Sequence, residues 1–266
     1  MIHFLRLFPQ QNVKGEHMKR KYKFLIIGTV LFVLLILGSL FFLRSMTYQP
    51  LDKAIEETMP SNQHYQVKET SDAVIFKPLK ESHSTSVIFY QGGLVEEKSY
   101  SSLAAKLASK GFPVYLVKHA LNLAVTDTNK AEKLIVDENI TDFVIGGHSL
   151  GGVMASRFAN EIDSDLLKGV FLLASYPDEK GRLDTLPISV LSLVGSKDGV
   201  LDNEAYQDGK TYLPDSTSYY IIEGGNHAGF GDYGHQEGDN DASISPEDQQ
   251  ELTVQFLVEW LNKIEE

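Results

Sequence analysis

Ser149 lies in the run Gly146-Gly147-His148-Ser149-Leu150-Gly151-Gly152, which contains the pattern G-x-S-x-G. Just before it, Thr141-Asp142-Phe143-Val144-Ile145 reads as a buried strand, and Leu150 to about Asn160 reads as a helix. A hydroxyl on such a strand-to-helix turn is held out at the top of a sheet. Gly147 and Gly151 leave room for the strained backbone the turn requires. The helix that follows aims its first amides at the same point, where they favour developing negative charge. The chemistry this serves is attack by a serine on a carbonyl carbon. Because a serine hydroxyl is a weak nucleophile at neutral pH, it needs a histidine base and a carboxylate to orient that base.

Both stand at later strand ends. The apolar run Val190 to Val194 leads into Gly195-Ser196-Lys197-Asp198, and Tyr220-Ile221-Ile222 leads into Glu223-Gly224-Gly225-Asn226-His227. Ser149, Asp198 and His227 are therefore the catalytic candidates, in the chain order Ser, Asp, His. Asp178 and Asp202 compete with Asp198, and His235 competes with His227; His148 is expected to pack behind the nucleophile. The oxyanion donors are expected to be the amides of Leu150 and Gly93, with Leu94 as the alternative to Gly93. Gly93 lies in Gln91-Gly92-Gly93-Leu94, just after the strand Val87 to Tyr90. This chemistry calls for no metal and no organic cofactor. Asp239-Asn240-Asp241 lacks the ligand spacing of a calcium loop, so residues 231–243 read as a solvated loop.

Further strands are expected at Val74–Phe76, Val114–Val117 and Gly169–Leu173. Helices are expected over Ser101–Lys110, with Gly111 as the stop, over Lys130–Asn139, and over Pro246 to about Ile264. Near-continuous apolar strands alternating with helices indicate a mostly parallel sheet covered on both faces. Functional groups then belong at the carboxyl ends of the strands. Too few residues separate Ala174 from Ile188 for a large cap domain, so the site reads as open. His119 to Thr128, with Leu121, Leu123 and Val125, reads equally well as an acyl-pocket wall or as core.

With these residues in place, the chain resembles a serine hydrolase of the α/β-hydrolase superfamily over roughly residues 70–264. Three stretches resemble a bacterial subgroup related to dienelactone-hydrolase-like enzymes: Phe89 to Val95, Leu121 to Val125, and Gly224 to Gly234. The resemblance implies an α/β-hydrolase fold and a triad where 149, 198 and 227 stand. With the short 174–188 connection and the apolar run 24–43, the fold expected is a mostly parallel α/β-hydrolase sheet without a large cap domain, preceded by one transmembrane helix. Dienelactone hydrolases use a cysteine nucleophile, and this chain has no cysteine, so their lactone substrate does not carry over. The His-Gly common before the oxyanion turn is Gln91-Gly92 here.

At 266 residues, 42% hydrophobic and 23% charged, the composition is that of a globular domain with an appendage. Residues 1–49 carry a net charge of +6 and residues 50–266 a net charge of −18. The acidic body argues against a nucleic-acid partner. Phe24 to Leu43 is an uncharged run with only Thr29 and Ser39 polar; at 1.5 Å per residue it is about 30 Å long, enough to cross a bilayer. Lys19, Arg20, Lys21 and Lys23 precede it and only Arg44 closely follows, which places the N-terminus in the cytoplasm and the rest outside. No small-residue pair at cleavage spacing follows the run, so it reads as an uncleaved anchor rather than a signal peptide.

The expected organisation is a cytoplasmic segment at 1–23, an anchor at 24–43, a linker at 44–63 and an α/β-hydrolase domain at 64–266. Residues 1–17 are expected not to be translated: Lys14-Gly15-Glu16 can be encoded by a purine-rich ribosome-binding sequence ahead of Met18, and a peptide covering residues 10–16 would refute this. The expected function is a membrane-anchored serine hydrolase of carboxylic esters, acting on a small-molecule or lipid-like ester. A peptidase or acyltransferase with the same triad, and a non-catalytic binding module, are the alternatives. Oligomeric state is not legible.

Overall fold

The computed structural model describes residues 13–59, 63–80 and 83–266. The segment expected to be untranslated, 1–17, falls mostly outside them. Two compact units divide the chain between Met46 and Thr47.

Among the described residues, the first unit is one helix, α1 (Val13–Ser45). Its stretch Tyr22–Ser45 has a mean hydropathy of 2.8 and is long and apolar enough to cross a membrane. Two hydroxyls inside it bond its own backbone: Thr29 donates to the Leu25 carbonyl at 3.0 Å and Ser45 to the Phe42 carbonyl at 2.7 Å. Such bonds satisfy a hydroxyl in a medium that offers no partners.

In the second unit, a short helix α2 (Asp52–Glu56) precedes the strands β1 (Tyr65–Glu69), β2 (Ala73–Pro78) and β3 (Thr85–Tyr90). There follow α3 (Ser101–Ser109), β4 (Val114–Val117), α4 (Lys130–Asp137), β5 (Asp142–His148), α5 (Leu150–Glu161) and β6 (Leu167–Leu173). The chain ends with β7 (Ser189–Gly195), α6 (Asn203–Gly209), β8 (Ser218–Ile222) and α7 (Pro246–Glu265). The eight strands form one sheet in the order β1-β2-β4-β3-β5-β6-β7-β8. Only the β1–β2 and β2–β4 pairings are antiparallel.

Alternation along each strand divides the core in two. Val74, Phe76, Val87, Phe89 and Phe171 pack with Leu103 and Leu107 of α3 and Val254, Leu257 and Trp260 of α7. Ile75, Ile88, Tyr90, Ile145 and Leu172 face the opposite way, toward Leu134 of α4 and Met154 and Phe158 of α5. Each large side chain fully buried this way contributes roughly 2–3 kcal/mol relative to exposure. The sheet is thus covered on both faces, as the apolar runs of β3, β5, β6 and β7 require. Between β6 and β7 the only helix among the described residues is a single 3-10 turn, Glu179–Gly181, so no cap domain intervenes there.

Within the span expected as a linker, residues 47–56 belong to the second unit. The Tyr48 amide donates to the Leu94 carbonyl at 2.8 Å, the Leu51 amide to the Asp232 carbonyl at 2.8 Å, and Ala54 is buried.

Candidate active site

β5 delivers Ser149 at a turn the sheet holds rigidly. Ser149 has φ 52° and ψ −124°, a conformation sparsely populated for any residue with a Cβ. Two bonds hold it there: its amide donates to the Leu173 carbonyl at 2.9 Å, and the Ser175 hydroxyl donates to its carbonyl at 2.7 Å. A Cβ on Gly147 or on Gly151 would lie 2.3 or 2.2 Å from the Tyr90 carbonyl oxygen. The outer glycines of G-x-S-x-G therefore let the elbow press against the end of β3. Of six non-glycine residues with positive φ among those described, Leu94, Leu121, Asn122, Ser149 and Ala174 follow the ends of β3, β4, β5 and β6. Strain collects at the carboxyl edge of the sheet, where function is expected.

Asp198 and His227 meet, as their places after β7 and β8 suggested. His227 Nδ1 lies 2.9 Å from Asp198 Oδ2, and both side chains are almost fully buried. The other carboxylate oxygen, Oδ1, accepts from the amides of Val200 and Leu201 at 2.9 and 2.8 Å. With Oδ2 as acceptor, the His227 proton sits on Nδ1 and Nε2 is the free base. His227 Nε2 is buried and has no hydrogen-bond partner among the described residues. The neighbouring ring of His148, which directly precedes Ser149, stands 4.5 Å from that of His227, so the base lies beside the elbow. The rivals are otherwise engaged: Asp178 pairs with Arg157 and caps the 3-10 turn, Asp202 caps α6, and His235 is exposed.

The two residues expected to supply the oxyanion donors lie close together. A Cβ on Gly93 would lie 3.2 Å from Leu150 Cδ2, and neither the Gly93 nor the Leu150 N–H finds an acceptor among the described residues. The Leu94 amide, the alternative, donates to the Asn122 carbonyl at 2.8 Å and is not free.

Asp239 was missed. It lies in the loop expected to be solvated, yet its carboxylate accepts from the amides of Gly199 at 3.0 Å, His227 at 3.3 Å and Ala228 at 2.8 Å. It clasps the Asp198 turn to the His227 turn. Asp232, in the same loop, is buried and accepts from Gln250. Of these two carboxylates, Asp239 is spent on backbone donors and Asp232 on a side-chain amide. The segment after β4 is mixed: Ala124 is buried, while Leu121 and Val125 are exposed.

Buried His119 packs against the turn after β3, with Nδ1 2.9 Å from Gln91 Oε1 and its ring against Tyr90. Burial, then the Lys130 charge, pushes its pKa down to about 4 from the ordinary 6.5. Between these values the unfolded chain binds a proton that the folded chain does not, so stability present above pH 6.5 is lost as pH falls toward 4. That single group accounts for about 3 kcal/mol. Denaturant unfolding at pH 7 and pH 4 is expected to show a smaller acid loss in His119→Gln than in wild type by about this amount; equal losses would refute the assignment.

Residues 86–251 match the model of the alpha/beta hydrolase family, and the chain belongs to that family. No curated protein matches it. Among solved structures it is similar to a predicted CIB-like hydrolase from Thermoplasma acidophilum, at 19% identity and TM-score 0.52, over 73% of this chain and 96% of that one. A carboxylesterase from Bacillus subtilis aligns at 11% identity and TM-score 0.53, over 79% and 95%. A dienelactone hydrolase from Anabaena variabilis aligns at 15% identity and TM-score 0.52, over 74% and 99%. At these identities the likeness is one of fold.

Proposed function

We propose that this protein is a membrane-anchored serine hydrolase that cleaves carboxylic esters through Ser149, His227 and Asp198, with the catalytic unit outside the cytoplasm. The observation that carries the reading is the buried Asp198–His227 hydrogen bond, which leaves Nε2 without a partner in a ring 4.5 Å from that of His148, the residue just before the strained Ser149. In this mechanism His227 Nε2 takes the Ser149 proton as Oγ bonds to the ester carbonyl carbon. The carbonyl oxygen becomes an oxyanion that the amides of Gly93 and Leu150, neither of which has an acceptor among the described residues, are free to bind. Collapse breaks the C–O bond, and the imidazolium returns its proton to the leaving alcohol. Water then gives a proton to His227, attacks the acyl-Ser149 carbonyl and releases the acid.

An ester is favoured by the uncapped β6–β7 connection and by the carboxylesterase named among the similar folds. The anchor is supported by the apolar stretch Tyr22–Ser45, and its orientation by Lys19, Arg20, Lys21 and Lys23 ahead of it. A membrane-impermeant fluorophosphonate probe applied to intact expressing cells is expected to label the chain, and the detergent-solubilised protein to turn over p-nitrophenyl esters. Labelling only after lysis would reverse the orientation. No labelling at all would favour a binding module, and acyl transfer to added alcohols or cleavage of peptides would redirect the reaction class.

A further inference from the structure

Tyr100 closes a 3-10 turn, Glu97–Tyr100, just ahead of α3, and its side chain is fully buried. Its hydroxyl accepts from the Gly92 amide at 3.1 Å and lies 2.9 Å from His148 Nδ1. A phenol has a single proton. His148 Nδ1 is the one acceptor within reach of that proton among the described residues; donated there, it leaves the imidazole hydrogen on Nε2. His148 Nε2 is buried and has no hydrogen-bond partner among the described residues, and the His148 ring lies 4.5 Å from that of His227. Burial, reinforced by the nearby His227, holds the His148 pKa well below the ordinary value, and the ring is neutral. A Cβ on Gly92 would lie 2.9 Å from His148 Nδ1 and 3.0 Å from the Tyr100 oxygen, so the turn sits directly on the pair.

One hydroxyl and one ring thus join the turn after β3, the elbow after β5 and the loop after β8. We propose that Tyr100 and His148 are a positioning pair: Tyr100 sets the oxyanion turn against the nucleophile, and His148 presents a neutral face to the base. The inference rests on the esterase reading and adds to it two residues that touch no substrate. Neutrality matters because His227 becomes a cation in the transition state, and a second cation 4.5 Å away would oppose it. Position matters because Gly92 immediately precedes Gly93. Without its acceptor, the Gly92 amide is buried and unpaired, and the Gly93 amide drifts from the developing oxyanion. That contact tightens in the transition state, so the loss falls on kcat rather than KM.

The test is a double-mutant cycle on the detergent-solubilised full chain. Tyr100→Phe is expected to lower kcat by on the order of 10- to 100-fold with KM within about twofold. The pH midpoint of kcat/KM stays in place, because Asp198 still holds His227. His148→Leu gives a similar loss, the double variant is no slower than the slower single variant, and His148→Asn, whose Oδ1 replaces Nδ1 as acceptor, recovers most of it. Wild-type kcat in Tyr100→Phe, losses that multiply in the double variant, or a loss carried by KM would each overturn the proposal. If the wild type shows neither turnover nor probe labelling, the esterase reading fails separately. The pair is then judged by imidazole nitrogen shifts: His148 Nδ1 unprotonated in wild type supports it, and Nδ1 protonated overturns it. Should Tyr100→Phe fail to fold, the two His148 variants and the same shifts decide.

Discussion

Ser149→Ala is expected to lower kcat for ester hydrolysis by on the order of 10⁴- to 10⁶-fold and to abolish fluorophosphonate labelling, with no loss of stability. The stability half of this expectation comes from the structure. Ser149 Oγ makes no hydrogen bond among the described residues, whereas the bonds that fix the residue are made by its backbone, to Leu173 and Ser175. Alanine keeps the Cβ, and with it the strain at φ 52°, so folded packing is unchanged. Ser149→Gly separates the two roles further. Glycine tolerates that backbone, and relief of strain set against its greater unfolded entropy is expected to raise stability by about 1 kcal/mol, again without turnover. Measured together, an inactive Ala variant at wild-type stability and an inactive, more stable Gly variant would mark the strain as held for function. Residual activity in Ser149→Ala, above the rate without protein and sensitive to the probe, would move the nucleophile elsewhere.

What was legible in the sequence was whatever a single segment encodes. β5, β6 and β7 are buried on both faces and read as apolar runs, and Asp198 and His227 stand in the turns that end β7 and β8. Partnership across distant segments was not legible. β1 is an edge strand whose residues after Tyr65 are mostly exposed, so it carries little apolar signal. α6 is short and polar; its cap, Asp202, is indistinguishable by type from a catalytic carboxylate until its bonds to the Glu204 and Ala205 amides are seen. Asp239 bonds backbone 12 and 40 residues away, and Tyr100 bonds a histidine 48 residues away. An acidic loop and a tyrosine before a helix look alike whether they face water or a catalytic turn. Only positive φ at a serine between glycines left a local trace, because the glycines that make it tolerable are adjacent to it in the chain.

Asp198→Asn is expected to lower kcat by on the order of 10⁴-fold while leaving the fold and KM nearly unchanged. The size follows from which way the new amide must point. Asp198 Oδ1 accepts two backbone amides, from Val200 and Leu201, and these donors cannot face an NH₂ group. In the Asn variant the carbonyl oxygen therefore keeps the Oδ1 place, and the NH₂ takes the Oδ2 place, 2.9 Å from His227 Nδ1. A donor there requires Nδ1 to accept, so the imidazole proton moves to Nε2 and the base is blocked at the atom that must receive the Ser149 proton. The loss is one of tautomer rather than of geometry, and it carries its own signature. Raising pH does not restore turnover, since deprotonating a neutral imidazole lies beyond any working range. Asp198→Ala, which removes the constraint on tautomer along with the carboxylate, is expected to be less impaired than Asp198→Asn, or no worse. If Asn retained wild-type turnover, or Ala were far slower than Asn, the carboxylate would be acting through charge or packing alone and the proposed orientation of His227 would be wrong.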